Sequence, residues 1–560
     1  MRNASLAALL LNFVTMSAGA YGQSPEPSQG VQVKIDDIIE RLKKSESALV
    51  VRMRMYHPLV EVYIQNLVPD EQLGWVPAQD EYFLGQFELR EVPKLRPLGQ
   101  MKKTPGLLSR MTGASPGVQF LPDGFAAMAA PDWHLLDRGR YEFKFVRREF
   151  LGEARTFVFD VKPLRESRDG FSGRIWIEDR DYNMIRFNGI NRSTDQTLSS
   201  FFRRTLSFHV DGWRTNVLPG VWLPSYVYCE ETDLSDVGSS AGKVRFRSQV
   251  RIWGYQAQAA EWTRQLTTIR IDEPAVVDTT EPAPQLSPVL SQRRWEQEAE
   301  SNVIERLEQV GLLSPPGDVD TVVETVLNNL VVTNGLVLER PLRSRILLTA
   351  PLESFTVGRT IVLSRGLIDV LPDEASLATM LAHELSHVVL GHPLIDTKFA
   401  FADRLMVSDG DLLQTLRFHH SAREESAADQ QVIELLKKSP YKDKLADAGL
   451  FLRMIAQRAK QLQKLIQPHI GNHIADGGQM LRLAELMEQA PALAPARLDQ
   501  IPALPLGARL VVDPWTDRLV LDRSPAVPLA SIREKVPLAV TPLMPYIKYV
   551  ESNYTQFTAR

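Results

Sequence analysis

The chain has very little cysteine and no excess of either charge. Cys229 is the only thiol among 560 residues, so an intramolecular disulfide is excluded and a small buried side chain is expected. The formal net charge is −4 and charged residues make up 24% of the chain, so we expect no nucleic-acid partner. Beyond the N-terminal segment, no uninterrupted apolar run reaches the roughly 20 residues that a membrane-spanning helix needs. The mature protein is therefore expected to have no transmembrane span.

Residues 1–20 are expected to be a signal peptide. Arg2 precedes a short apolar stretch that runs through Val14, and the small residues Ala18-Gly19-Ala20 follow it. This order of basic, apolar and small residues is typical of a secretory signal, here cleaved after Ala20. A retained membrane anchor is the alternative, but the apolar stretch is short for one. We therefore expect a periplasmic or otherwise exported protein and leave peripheral association with the outer membrane open.

The length of the chain and its changing pattern indicate more than one domain. Residues 31–271 are predicted to form a mainly antiparallel β domain. Apolar and polar residues alternate there with period two, as in Tyr141–Phe145 and Gly173–Ile177. Asp179–Asn183 separates two such runs and is predicted to be a hairpin connection.

Four prolines, at positions 274, 282, 284 and 288, predict an extended linker over residues 272–290. Residues 291–495 then follow the period of helices, interrupted by two predicted strands, Arg345–Leu352 and Phe355–Leu363. The predicted helices are Gln292–Leu313, Val319–Leu330, Asp373–Leu390, Ser421–Lys437, Ala448–Ile466 and Gly478–Glu488.

Residues 496–560 are predicted to be a C-terminal extension in which Arg509–Val512 pairs with Arg518–Leu521. The expected fold class is therefore α+β. It comprises a mainly antiparallel β domain, a mainly helical domain with a small edge sheet, and a short β-containing tail.

His383-Glu384-Leu385-Ser386-His387 is an HExxH sequence within a predicted helix. Asp373 is a suitable N-cap for that helix, and Gly391 is a suitable end. Histidines at i and i+4 share one helix face and converge on one point, as a tetrahedral Zn²⁺ site requires, and Glu384 can reach the attacking water. The flanking residues are apolar, so satisfied core histidines are the weaker alternative because buried imidazoles without a metal are costly. We expect one Zn²⁺ per chain.

The third ligand is predicted to be a carboxylate. A metzincin would need glycine at 390 and histidine at 393, whereas this chain has Leu390 and Pro393, and His392 is out of register. Ser421 and Glu424 have the spacing of a capping box, which assigns Glu424 to the start of the next helix. Glu425 then points into the protein and is the preferred ligand.

One residue is added to that assignment, and two alternatives to it remain. Asp429 lies one turn after Glu425, where it can accept the second ring N–H of a ligand histidine. His419 and His420 are rival ligands, ranked below Glu425 because they precede the helix. Glu425 and Asp429 could instead belong to a solvated acidic face.

HELSHVVLGH followed by EESAAD resembles the HtpX/BepA-like family of zinc metallopeptidases, which is related to the CAAX prenyl endopeptidases, over roughly Leu327–Glu488. The resemblance implies a gluzincin in which Glu425 is the third ligand and Asp429 supports a ligand histidine. It also implies that His473 and Arg482 lie at the cleft, where either would stabilise the oxyanion or occupy the open metal position. A loop histidine and a helix-capping arginine are the alternative. The segment Gly173–Gly189 resembles lipoprotein-carrier (LolA-like) domains.

These features predict a zinc-dependent endopeptidase in which Glu384 takes a proton from water and passes it to the departing amine. An extended substrate is expected to pair with an exposed edge strand formed by Phe355, Thr356, Val357 and Gly358. The resemblance and the expected signal imply that the substrates are unfolded or misassembled envelope proteins. A chaperone or scaffold with a latent zinc site, and a lipid or lipoprotein binder fused to a peptidase, remain alternatives.

Overall fold

The structure is a computed structural model that describes only part of the chain. The described residues are 29–89, 93–98, 125–126, 128–129, 138–164, 170–194, 205–232, 245–255, 288–338, 340–392, 418–467, 470–471, 473–476, 479–494, 496–498, 500, 510–513, 518–521, 538 and 540. The expected signal peptide and most of the expected linker lie outside these ranges. Within them, no helix is both long and apolar enough to span a membrane.

The first half forms one ten-stranded antiparallel sheet, and this confirms the predicted antiparallel β structure. Its strands are β1 (Leu59–Asp70), β2 (Gly74–Leu89), β3 (Pro93–Pro97), β4 (Tyr141–Leu151), β5 (Ala154–Pro163), β6 (Gly170–Glu178), β7 (Met184–Thr194), β8 (Thr205–Leu218), β9 (Val221–Glu231) and β10 (Arg245–Trp253). Strands β4 to β10 follow one another across the sheet, and β10 then pairs with β1. The predicted connection lies between β6 and β7, where the carboxylate of Glu178 accepts the N–H groups of Arg180 and Asp181.

Helix α1 (Gln29–Met53), which the sequence analysis did not assign, packs on one face of this sheet. Its buried apolar residues recur at helical spacing and share one core with alternate residues of the strands. They are Ile35, Ile39, Leu42, Leu49 and Met53. Arg214 of β8 donates two hydrogen bonds of 2.7 Å to Glu46 of the helix, so the buried carboxylate is paired.

The second half is mainly helical and contains a three-stranded sheet. Its elements are α2 (Pro288–Gln309), α3 (Asp318–Thr333), β11 (Arg343–Leu347), β12 (Ser354–Val357), β13 (Thr360–Ser364), α4 (Arg365–Val370), α5 (Glu374–Leu390), α6 (Ala422–Lys437), a 3₁₀ turn (Lys442–Lys444), α7 (Leu445–Arg458), α8 (Gln463–Ile466), β14 (Ala475–Asp476), β15 (Gln479–Met480), α9 (Ala484–Gln489), β16 (Leu510–Asp513) and β17 (Arg518–Leu521). The sheet order is β11-β13-β12, with β12 at one edge. The predicted C-terminal hairpin is present, since β16 pairs with β17.

Several predicted elements were wrong in detail. The strand predicted over Arg345–Leu352 is β11, which ends at Leu347. Pro288 begins α2, because proline suits the first turn of a helix, so residues 288–290 are not linker. The strand predicted over Phe355–Leu363 is a hairpin that turns at Gly358, whose φ of +58° favours glycine. The helix predicted over Ala448–Ile466 is divided into α7 and α8, and β15 occupies the start of the one predicted over Gly478–Glu488.

The other face of the ten-stranded sheet packs against the second half through buried charged groups. Glu61 of β1 is fully buried, accepts the N–H of Ala350 and lies 3.2 Å from the guanidinium of Arg365. Arg251 of β10 donates a 2.7 Å hydrogen bond to the carbonyl oxygen of Leu348. Because both contacts hold the loop between β11 and β12, the first-half sheet fixes the point from which β12 starts.

A second contact between the halves is made at α8. The carboxylate of Asp80 on β2 accepts the backbone N–H groups of Lys464 and Leu465 at 2.9 and 2.8 Å. The carbonyl oxygen of Leu465 in turn accepts the N–H of Leu352 at 2.8 Å, just before β12. The carboxylate of Asp80 therefore accepts two backbone N–H groups at the start of α8, which the helix itself cannot pair.

Asp80→Ala is expected to lower the free energy of unfolding by about 2–4 kcal/mol, because one buried and one partly buried backbone N–H group lose their acceptor. Thermal and urea unfolding of the whole chain would measure the loss. Glu71→Ala is the matched control, since Glu71 is exposed in the turn between β1 and β2, and its effect should stay within about 0.5 kcal/mol. Equal effects of the two variants would contradict the assignment of Asp80.

Candidate metal centre

Helix α5 carries both histidines of the HExxH sequence in a buried position. Asp373 caps its first turn by accepting the N–H of Ser376 at 2.7 Å, and Gly391 ends it in the left-handed conformation. His383 and His387 are 0% and 1% exposed. Their Nε2 atoms lie 3.2 Å apart, so both rings point at the same small volume.

Glu425 of α6 joins the two imidazoles. Its Oε2 lies 3.2 Å from Nε2 of His383, and its Oε1 lies 3.6 Å from Nε2 of His387. The neighbouring Glu424 is held outside this cluster, because its carboxylate accepts the N–H and the hydroxyl of Ser421, both at 2.8 Å. The capping box thus separates two adjacent glutamates, and only Glu425 faces the histidines.

The second ring nitrogen of each histidine also has a partner. Nδ1 of His383 donates to Oδ1 of Asp429 at 3.0 Å, and Oδ2 of the same carboxylate accepts the N–H of Leu483 at 2.8 Å. Nδ1 of His387 lies 2.9 Å from Nδ1 of His392, so one of these nitrogens donates and the other accepts. Such contacts hold Nε2 of both rings directed toward Glu425.

These neighbours set the protonation of the cluster. Burial lowers the pKa of His383, but hydrogen bonds to Asp429 and Glu425 outweigh it and raise that pKa to about 9. Burial and the charges of His383 and His420 lower the pKa of His387 to about 2. Burial raises the pKa of Glu425, but the bond to His383 and the charge of Arg482 lower it well below its ordinary value. At neutral pH His383 is therefore doubly protonated, with Nδ1–H directed at Asp429 and Nε2–H directed at Glu425.

Glu384 points toward β12. Its Oε1 accepts the hydroxyl of Ser354 at 2.7 Å, and its Oε2 accepts the hydroxyl of Thr356 at 2.8 Å. Arg482, which is 2% exposed, lies 3.2 Å from Oε1 of Glu384 and 3.1 Å from Oε2 of Glu425. One guanidinium therefore offsets the charge of both carboxylates.

The structure does not bring every expected residue to the cluster. The ring of His473 lies beside that of His419, with 6.3 Å between centroids, and neither residue is in the group formed by His383, His387 and Glu425. The edge strand expected to be exposed is buried, since Phe355, Thr356 and Val357 are at most 5% exposed. The ring of Phe355 stacks on that of Phe418 with 4.6 Å between centroids, and this contact contributes to the burial of the strand.

The hydrogen bonds from Ser354 and Thr356 to Glu384 were not predicted. Ser354 and Thr356 stand two residues apart on a strand, so their side chains share one face. That spacing was the available signal, but it does not say which face of the strand meets α5.

The sequence segment that contains this site is similar to a known protein family. Residues 352–469 match the model of peptidase family M48. The matched segment contains His383, Glu384, His387 and Glu425, and it indicates a metalloprotease. No curated protein matches the chain significantly.

Solved structures resemble part of the chain only distantly. A LolA superfamily protein from Nitrosomonas europaea is 12% identical, with 39% of this chain and 91% of that protein covered and a TM-score of 0.18. The complex of MucA and MucB from Pseudomonas aeruginosa gives 8% identity, 40% and 96% coverage and a TM-score of 0.13. Likenesses with TM-scores this low support no structural or functional inference.

The ligand atoms that this cluster offers suit a metal ion. One ligand atom from each of His383, His387 and Glu425 lies within 4.8 Å of the others, and all three residues are buried. Two imidazole nitrogens and one carboxylate oxygen are donors that suit a divalent transition metal. These three residues could therefore hold one metal ion.

Metal binding is expected to tighten as the pH rises. The proton on His383 must leave before Nε2 can bind a metal, so the dissociation constant for zinc should fall about tenfold per pH unit between pH 6 and 8. The dependence should level off near the pKa of about 9. Competition titrations with a chelator at fixed ionic strength would measure it.

Asp429→Ala provides the comparison, because it removes a contact that raises the pKa of His383. Its pH dependence should level off at a lower pH, and its affinity should be about 10- to 100-fold weaker. A dissociation constant that does not change between pH 6 and 8 would contradict this account.

Proposed function

We propose that the chain is a zinc-dependent endopeptidase that hydrolyses unfolded or misassembled envelope proteins. The observation that carries the proposal is the convergence of His383, His387 and Glu425 beside the carboxylate of Glu384. The match of residues 352–469 to a peptidase family supports it independently. The envelope as the place of action rests on the expected signal peptide and on the resemblance to HtpX/BepA-like enzymes.

His383, His387 and Glu425 would hold the zinc ion. Bound there, zinc would polarise the scissile carbonyl and make a water molecule more acidic. Asp429 keeps the proton of His383 on Nδ1, so that Nε2 offers its lone pair. Arg482 keeps Glu425 directed at the histidines by an ion pair that is almost completely buried.

Glu384 is proposed to move the proton. Its carboxylate takes a proton from the attacking water and delivers it to the nitrogen of the departing amine. Ser354, Thr356 and Arg482 hold the carboxylate from the side of β12, and this restricts its rotation. A fixed carboxylate loses little entropy when the reaction begins, which is an advantage for a general base.

The substrate is proposed to be an extended polypeptide. β12 is an edge strand of its sheet, and its side chains at 354 and 356 contact Glu384. Because residues 355–357 are at most 5% exposed, a peptide must first displace the contacts that cover β12 before it pairs with this strand by main-chain hydrogen bonds. It would then lie next to the general base. A chain without folded structure offers such a free segment along much of its length, so unfolded proteins fit the site better than most folded ones.

A latent site in a chaperone or scaffold is the second candidate. The burial of β12 favours it, because Phe355, Thr356 and Val357 are at most 5% exposed. A site that stays closed would keep the metal without turning over substrate. The two candidates predict different effects of removing the general base. A peptidase needs Glu384 for its function, whereas a latent scaffold does not.

Glu384→Gln is expected to reduce cleavage of denatured substrate by roughly 10²- to 10⁴-fold, because glutamine cannot accept the proton of water. Bound zinc should remain near one per chain, since Glu384 is not one of the three donors. Zinc content by elemental analysis and cleavage of unfolded casein, with wild type alongside, would measure both. A folded envelope protein, offered native and denatured, should be cut only when denatured.

Glu425→Gln and Glu424→Gln form a matched pair of adjacent substitutions. The first should lose zinc and activity together, whereas the second should retain both, because the carboxylate of Glu424 is committed to Ser421. Zinc in wild type without cleavage of any substrate would favour the latent scaffold. Selective cleavage of the native protein would exclude unfolded substrates.

A further inference from the structure

His420 lies directly against the candidate metal centre but is not one of its three donors. It precedes Ser421, the N-cap of α6, and its side chain is only 3% exposed. The ring stacks on that of His387 with 3.7 Å between centroids and 10° between planes. The residue is therefore part of the wall of the site.

Neither ring nitrogen of His420 has a hydrogen-bond partner among the described residues. Nδ1 lies 4.0 Å from Oε2 of Glu424, which is too far for a hydrogen bond, and Ser421 already binds that oxygen. Either neutral tautomer of imidazole carries one N–H donor. A buried donor without an acceptor costs about 1–3 kcal/mol, so among the described residues the ring of His420 is left with a donor that a bound ligand would satisfy.

The stacking excludes His420 as a ligand of the metal that His387 would hold. The lone pair of an imidazole nitrogen lies in the plane of its ring. Two rings that stack at 3.7 Å with planes 10° apart cannot both direct lone pairs at one ion. The grouping of His387, His392 and His420 as potential ligands is excluded by the same argument.

Among the described residues, two other candidate donors near the centre, Arg482 and His473, already have contacts of their own. The guanidinium of Arg482 contacts Glu384, Glu425 and Ser354. The ring of His473 lies against that of His419. His420, by contrast, lies in ring contact with His387, and neither of its ring nitrogens has a hydrogen-bond partner among the described residues.

We propose that His420 is a catalytic residue whose Nε2–H donates a hydrogen bond to the carbonyl oxygen of the scissile peptide bond. Nδ1 is the nitrogen on the side of Glu424, which leaves Nε2 for the substrate. The bond strengthens as the carbonyl oxygen gains negative charge when water adds to the carbon. This inference rests on the proposed peptidase function, and it gives His420 the oxyanion role that the sequence resemblance assigned to His473 or Arg482.

His420→Phe separates the hydrogen bond from the stack, because phenylalanine keeps a flat ring over His387 and has no N–H. We expect kcat for a fluorogenic peptide to fall roughly 10²- to 10³-fold. The KM and the zinc content should stay near those of the wild type. His420→Asn restores a donor and should recover part of kcat. His419→Phe, a neighbouring exposed histidine, is the matched control and should retain the kcat of the wild type.

Wild-type kcat in His420→Phe would overturn the proposal and leave His420 with a packing role. Loss of zinc together with kcat in that variant would also overturn it, because His420 would then act by holding His387. The wild-type assay is made first, since zinc-loaded wild type that cleaves no peptide would refute the peptidase function itself. Activity in the wild type with an inactive, zinc-loaded His420→Phe supports both.

Discussion

The buried charge balance around Arg482 is the constraint on which the site depends. Glu384 and Glu425 are both buried, and each would be costly in that environment without a partner of opposite charge. Arg482 reaches both carboxylates from the segment between β15 and α9. The site is therefore complete only when this late segment packs against α5 and α6, and its assembly is tied to the folding of the whole second half.

The first-half sheet takes part in the same arrangement. Glu61, Arg251 and Asp80 hold the segment that leads into β12, either directly or through α8. Strand β12 then supplies the hydroxyls of Ser354 and Thr356 to Glu384. Hydrogen bonds to the backbone segment 348–352, which continues directly into β12, thus connect the large sheet to the proposed general base, and this gives the sheet a structural role.

The local features of the site could be predicted because each depends on residues that lie close together in the sequence. The i and i+4 histidines, the caps Asp373 and Gly391, and the Ser421–Glu424 capping box each lie within a few helical turns. The predicted antiparallel strands followed from period-two alternation in the same way. Helix α1 was missed, and the strand after residue 355 was extended through Gly358, where one residue with positive φ reverses the chain.

The sequence by itself determined which residues have the chemistry of a metal site, since side-chain type and helical periodicity specify His383, His387 and Glu425. Tertiary structure alone decided their surroundings. The approach of Asp429 to His383 spans 46 residues, and that of Arg482 to Glu384 spans 98. The stacking of His420 on His387, and the turn of β12 that points its hydroxyls at Glu384, depend on how separate elements pack. Periodicity determines the face that a residue occupies on its own element, but contacts between distant elements form only when those elements pack together in the tertiary structure.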